Sequence, residues 1–136
     1  NAASRKIAFD ANSQSDGKTV YFGFDQSSIE GQAQKIVDQN VDYLLAHPQE
    51  KVLVAGHTDP RGSNNYNLHL AQRRADSVKS YMLDRGVTAD QVCTVSYGDQ
   101  KPAASPNDFG GDWVKAYTLD RRAVFSYGAT CNTGAA

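Results

Sequence analysis

Cysteine, tryptophan and methionine are nearly absent from this chain of 136 residues, at 2, 1 and 1 copies. The two cysteines, Cys93 and Cys131, stand far apart and lack the close paired spacing of a zinc knuckle, so no metal site is expected. In a reducing compartment they read as unrelated thiols, and in an oxidising one as a single long-loop disulfide; composition leaves both open. An excess of one charge is also missing. Fourteen Lys and Arg stand against 15 Asp and Glu, a net charge of −1, with no basic block. That excludes nucleic acid as a bulk electrostatic partner. No apolar run approaches the length of a membrane span. What remains is 40% apolar and 21% charged residues, the composition of a globular domain with one core.

Residues 1–18 are small and polar and read as a flexible N-terminal arm. Residues 19–128 carry all the periodic segments and form one expected domain, and 129–136 are a small-residue tail. Thr19–Phe24 is β-branched and aromatic, the pattern of a strand. Ser27 and Glu30 have capping-box spacing, which predicts a helix start there. Ile29, Ala33, Ile36, Val37, Val41, Leu44 and Leu45 recur at helical intervals until His47-Pro48, where proline forbids continuation. Lys51–Ala55 reads as a buried strand, residues 65–85 as a helix ending before Gly86, and Val92–Tyr97 as a strand parallel to the previous one. A Gly/Pro-rich loop over 98–111, a short helix at Asp112–Leu119 and a last strand at Ala123–Tyr127 complete the pattern.

The stretch "GHTDPRGSNNYN", residues 56–67, follows the buried run and at once presents His57, Thr58, Asp59 and Arg61. Such a loop is either ordinary solvated surface or a place where a charged ligand binds. The helix after it is more telling. Ala71, Ala75, Val78 and Met82 make an apolar stripe widened by Leu68, Leu70 and Tyr81, and Asn67 and Arg74 fall inside it. Arg73 points to the solvated side. An arginine inside such a stripe has three explanations: it snorkels, it pairs with an internal acid, or it waits for an anionic ligand whose carboxylate fits its fork. An unpaired buried charge is too costly to stand alone, and Asp59 is the nearest acid by connectivity.

"GHTDPRGSNNYNLHLAQRRADSVKSYMLDRGV", with "VYFGFDQSSI", "VSYGDQKP" and "DRRAVFSY" around it, resembles the OmpA-like peptidoglycan-binding domain, and within it the peptidoglycan-associated lipoprotein branch. The resemblance implies an α+β fold, a βαβαβ(α)β sandwich with a mixed four-stranded sheet and helices packed on one face. It implies a periplasmic protein of a Gram-negative envelope, held at the outer membrane by a lipid anchor. Its partner would be peptidoglycan, through the diaminopimelate of the stem peptide. Asp59 is expected to take the ligand's ammonium and Arg74 its carboxylate, with Asn67 helping to hold it. Phe24 and Asp25 would contribute from the first-strand loop, and Tyr66, Arg61 and Leu70 complete the expected set. Diaminopimelate carries an amine and a carboxylate on one carbon, and in the empty site Asp59 and Arg74 are expected to satisfy one another. The family topology also puts Cys93 and Cys131 at one end of the sheet, which implies a disulfide between them.

Catalysis is the first rival. His57 and Asp59 suggest a base or two metal ligands, yet no nucleophile motif or third ligand accompanies them, and His57 reads as a structural hydrogen-bonder. No enzyme activity and no cofactor are expected. The second rival is a protein-interaction module, either of the Tol-Pal system through the Tol β-propeller protein or of a secretion or motor complex, with peptidoglycan binding secondary.

Overall fold

The computed structural model describes residues 19–23, 25–100 and 110–127. The expected arm and tail, Phe24 and Cys131 lie outside the described residues. Strand β1 (Thr19–Tyr21) is followed by helix α1 (Gln32–Ala46), β2 (Val52–His57), α2 (Asn64–Asp84), a 3-10 turn (Ala89–Gln91), β3 (Val92–Gly98), α3 (Trp113–Asp120) and β4 (Arg122–Tyr127). The sheet has four strands in the order β1-β4-β2-β3. β2 runs parallel to β3 and antiparallel to β4, and β1 is antiparallel to β4. This is the mixed α+β sandwich that the motifs imply.

Alternation within the strands decides the packing. Val52 and Val54 are fully buried in one cluster with Val20, Phe125, Val37 and Leu44 from β1, β4 and α1, and Val78 and Met82 from α2. The helices α1 and α2 therefore share one face of the sheet. Burying a valine or leucine side chain there stabilises the fold by roughly 1.5–3 kcal/mol. Leu45, included in the predicted stripe, is instead 49% exposed at the end of α1. The α1 C-terminus is satisfied from elsewhere in the chain. Gln91 Nε2 donates to the carbonyls of Leu44, His47 and Glu50 at 2.9, 3.2 and 3.3 Å, supplying a partner for carbonyls a helix end leaves open.

Three element boundaries differ from the sequence expectation by more than one residue. β1 stops at Tyr21 rather than reaching Phe24, though Phe22 N still donates to Arg121 O at 2.9 Å. α1 begins at Gln32, after Gly31 in a left-handed conformation (φ 57), and has no side-chain cap. The Ser28 hydroxyl instead donates to Glu30 at 3.2 Å, so the expected box does not form. The loop before α1 is held by other bonds, from Arg74 to the carbonyls of Gln26 and Gly23. β2 also runs on through Gly56 and His57, every residue of it buried. A Cβ at Gly56 would lie 1.9 Å from the carbonyl oxygen of Ala71, so the absent side chain lets α2 lie directly on the strand.

Candidate functional site

Asp59 follows β2 where the strand leaves the sheet, and Arg74 comes from the middle of α2. The α2 helix is started by Ser63, whose hydroxyl accepts from Tyr66 N at 3.1 Å. That cap fixes the helix phase, and the phase places Asn67, Leu70 and Arg74 on one face, all buried. With Asp25, Thr58, Asp59, Arg61, Gly62 and Tyr66 they line a cavity of about 180 Å³. Seven of the eight residues expected at the binding site thus surround one space, and the eighth, Phe24, lies outside the described residues.

Arg74 is fully buried, and three of its N–H groups are taken by backbone carbonyls. Nε donates to Gln26 O at 2.8 Å, Nη1 to His57 O at 2.9 Å and Nη2 to Gly23 O at 3.1 Å. A guanidinium has about five donors, which leaves two unassigned on a side chain that lines the cavity. Burial, and after it the nearby charge of Arg121, lowers the Arg74 pKa to about 10, against the opposing pull of Asp59 and Asp25. It is charged at neutral pH.

The expected direct pair between Asp59 and Arg74 does not form. Asp59 is held by Arg61, through Nη2 to Oδ2 at 2.7 Å, Nε to Oδ1 at 3.2 Å and the backbone N to Oδ1 at 3.1 Å. Arg121 Nη1 lies 3.8 Å from the same Oδ2. The hydrogen bond to Asp59 is the main reason the Arg61 pKa rises above its ordinary value. The acid therefore has cations of its own, and the buried arginine is balanced by carbonyl dipoles. Both charges face the cavity without neutralising each other directly.

Around them the rim is polar. Tyr66, 42% exposed, donates its hydroxyl to the carboxylate of Asp25, a residue with φ 58. Arg73 is exposed, as expected, and its guanidinium sits 5.9 Å from the Tyr66 ring. Asn67 donates Nδ2 to Asp99 at 3.0 Å, so part of its amide is already committed. His57 is buried with its ring 5.4 Å from that of Tyr97. Among the described residues no three His, Cys, Asp or Glu side chains gather as a metal site.

Thr58 and Arg121 stand outside the eight residues expected to hold the ligand, although Thr58 belongs to the loop the sequence marked. Thr58 lines the cavity, is 3% exposed, and its hydroxyl has no partner among the described residues. Arg121 precedes β4, donates Nε to Phe22 O at 3.0 Å and reaches Asp59. The antiparallel pairing of β2 with β4, with His57 opposite Arg122, carries the signal. Extended by one residue, that register sets Arg121 beside Thr58. Cys93, half-buried on β3, is disulfide-bonded, and its expected partner Cys131 lies outside the described residues.

These elements define a mixed-sheet domain with a charged cavity at the end of a buried strand. The chain belongs to the OmpA family, whose model matches residues 21–110. It is 50% identical over 109 residues to a peptidoglycan-associated lipoprotein of Pasteurella multocida, covering 80% of this chain and 69% of that protein. A protein of the same name from Haemophilus influenzae is also 50% identical over 109 residues, covering 80% of this chain and 68% of its relative. The crystal structure of the peptidoglycan-associated lipoprotein from Burkholderia pseudomallei superposes with a TM-score of 0.77 at 38% identity, covering 88% of this chain and 98% of that one.

Proposed function

We infer that this chain binds peptidoglycan without cleaving it, through the diaminopimelate of the stem peptide, and so ties the outer membrane or an envelope complex to the cell wall. One observation carries the reading: Asp59 and Arg74 line the same cavity and neither is bonded to the other. A head group with an ammonium and a carboxylate on one carbon matches that arrangement. Its carboxylate meets the unassigned N–H groups of Arg74, a charge-assisted contact of the stronger kind. Its ammonium meets Asp59, and the Thr58 hydroxyl offers a further polar contact. Leu70 supplies the apolar wall against which the ligand's methylene chain can lie. Each group in this scheme orients or neutralises; none is placed to attack a bond. The names of the relatives at 50% identity support peptidoglycan as the polymer. They support the periplasmic side of the outer membrane as the location.

The test is titration of the purified chain with a soluble stem peptide containing diaminopimelate, beside sedimentation with purified peptidoglycan. The wild type should bind both, and Asp59→Asn should bind neither. A wild-type chain that ignores peptide and polymer alike would overturn the reading.

A further inference from the structure

Asn67 stands in the cavity wall with its amide turned one way. The residue is 1% exposed, in the first turn of α2, and its Nδ2 donates to Asp99 Oδ2 at 3.0 Å. An amide can be turned over, exchanging its carbonyl for its NH2 group, with almost no change of shape. A carboxylate accepts and has nothing to donate, so Asp99 can bond only the Nδ2 end. The Oδ1 end is left on the other side. A Cβ placed on Gly62 would lie 3.4 Å from it, and Gly62 lines the cavity. Among the described residues none donates to that oxygen.

The fold holds Asp99 in position for this bond. It follows Gly98, which ends β3 with φ 57 and lies against α2: a side chain there would come within 3.2 Å of Leu68 Cδ2 and 3.3 Å of Leu68 N. Gly98 O accepts from Thr58 N at 2.8 Å, and the Ser96 hydroxyl donates to Leu68 O at 2.7 Å. The end of β3 is thus fixed both to the loop after β2 and to the start of α2.

We propose that Asp99 is a positioning residue: it fixes the Asn67 amide with its carbonyl toward the cavity, where that oxygen accepts a hydrogen bond from the ligand. The proposal rests on the peptidoglycan reading and concerns the ammonium of the same head group. Arg74 offers donors and meets the carboxylate. An ammonium brings three donors of its own, and Asp59 with Asn67 Oδ1 gives it two acceptors. The reversed amide would turn N–H toward the ammonium, a donor against a donor. Asp99 is not among the residues that line the cavity. It sets the polarity of Asn67 without touching the ligand.

The experiment titrates wild type, Asp99→Ala, Asp99→Asn, Asn67→Ala and the double variant Asp99→Ala/Asn67→Ala with a soluble stem peptide containing diaminopimelate, with thermal melts to show that each variant folds. Asp99→Ala releases the amide. Affinity should fall roughly twofold if the freed amide divides evenly between its two orientations, and up to about tenfold if the whole hydrogen bond is lost. Asp99→Asn keeps an acceptor carbonyl and should retain most of the affinity. In the Asn67→Ala background, Asp99→Ala should have no further effect, because its action passes through the amide. A charge pulling on the ligand directly, or a turn that Asp99 merely holds in shape, would act in both backgrounds, and equal losses there overturn the proposal. So does an Asp99→Ala variant that binds as wild type does. A wild type that binds no peptide overturns the peptidoglycan reading, and this proposal with it.

Discussion

Arg74 donates Nη1–H to the carbonyl oxygen of His57 at 2.9 Å, which fastens the middle of α2 to the last residue of β2, two positions before Asp59. The site's arginine is therefore also a bolt in the fold. Its other two bonds go to Gln26 and Gly23, in the loop that leaves β1.

The two charged residues of the cavity should for this reason respond differently to truncation. Arg74→Ala leaves three carbonyl groups in two segments without their donor, among them that of the buried His57, and a buried orphan costs about 1–3 kcal/mol. Urea denaturation should show a loss of roughly 3 kcal/mol or more together with loss of peptide binding. Asp59→Asn keeps an Oδ1 acceptor for the Arg61 backbone N–H and Nε and should change stability far less, while weakening peptide binding by roughly 2–5 kcal/mol. Equal denaturation midpoints for Arg74→Ala and wild type would refute the structural role.

Thr58→Val replaces the unpartnered hydroxyl with a methyl of similar size. Stability should hold or rise slightly, because a buried polar group without a partner is removed. Stem-peptide affinity should fall by about 0.5–1.5 kcal/mol, the net contribution of one hydrogen bond. Unchanged affinity in calorimetry would take Thr58 out of the contact set.

Gly56→Ala should be costly although both residues are small. The new Cβ would meet the Ala71 carbonyl at 1.9 Å, and that atom belongs to a helix backbone rather than to a flexible side chain. Overpacking of this kind costs about 1–3 kcal/mol, occasionally more. A thermal midpoint within a degree of wild type would mean that α2 can lift from the sheet freely.

Non-reducing peptide mapping of protein secreted to an oxidising compartment should recover one peptide pair joined through Cys93 and Cys131. Reduction should lower stability by about 2–4 kcal/mol, the usual effect of a long-loop bridge. Recovery of both cysteines as free thiols would remove the bridge.

Much of α2 was legible in the sequence because a long amphipathic helix has little freedom of phase. Once Ala71, Ala75, Val78 and Met82 define its buried face, Asn67 and Arg74 must point inward, as they do. The start of α1 was not legible. Ser27 and Glu30 have the spacing of a cap, but the loop carbonyls beside them are claimed by Arg74, 48 positions from Gln26, and local spacing carries no trace of that. The partner of Asp59 was hidden for the opposite reason. Arg61 stands only two residues away, and whether its side chain curls back or extends is a rotamer choice that the order of residues does not encode. Arg121 became readable only through strand register, which depends on the pairing of β2 with β4.

The same helix lines the cavity with Asn67, Leu70 and Arg74 and enters the core with Ala75, Val78 and Met82. For a protein that holds a stationary polymer, this continuity has a mechanical meaning. On the proposed site, a pull on a ligand in the cavity would enter α2 between its first turn at Asn67 and its middle at Arg74, and pass along one unbroken rod into the buried core. The loop after β2, which carries Asp59, shares that load with the helix. Resistance to such force is set by how fast the structure opens rather than by its equilibrium stability, and here opening requires α2 to be drawn off the sheet as a whole.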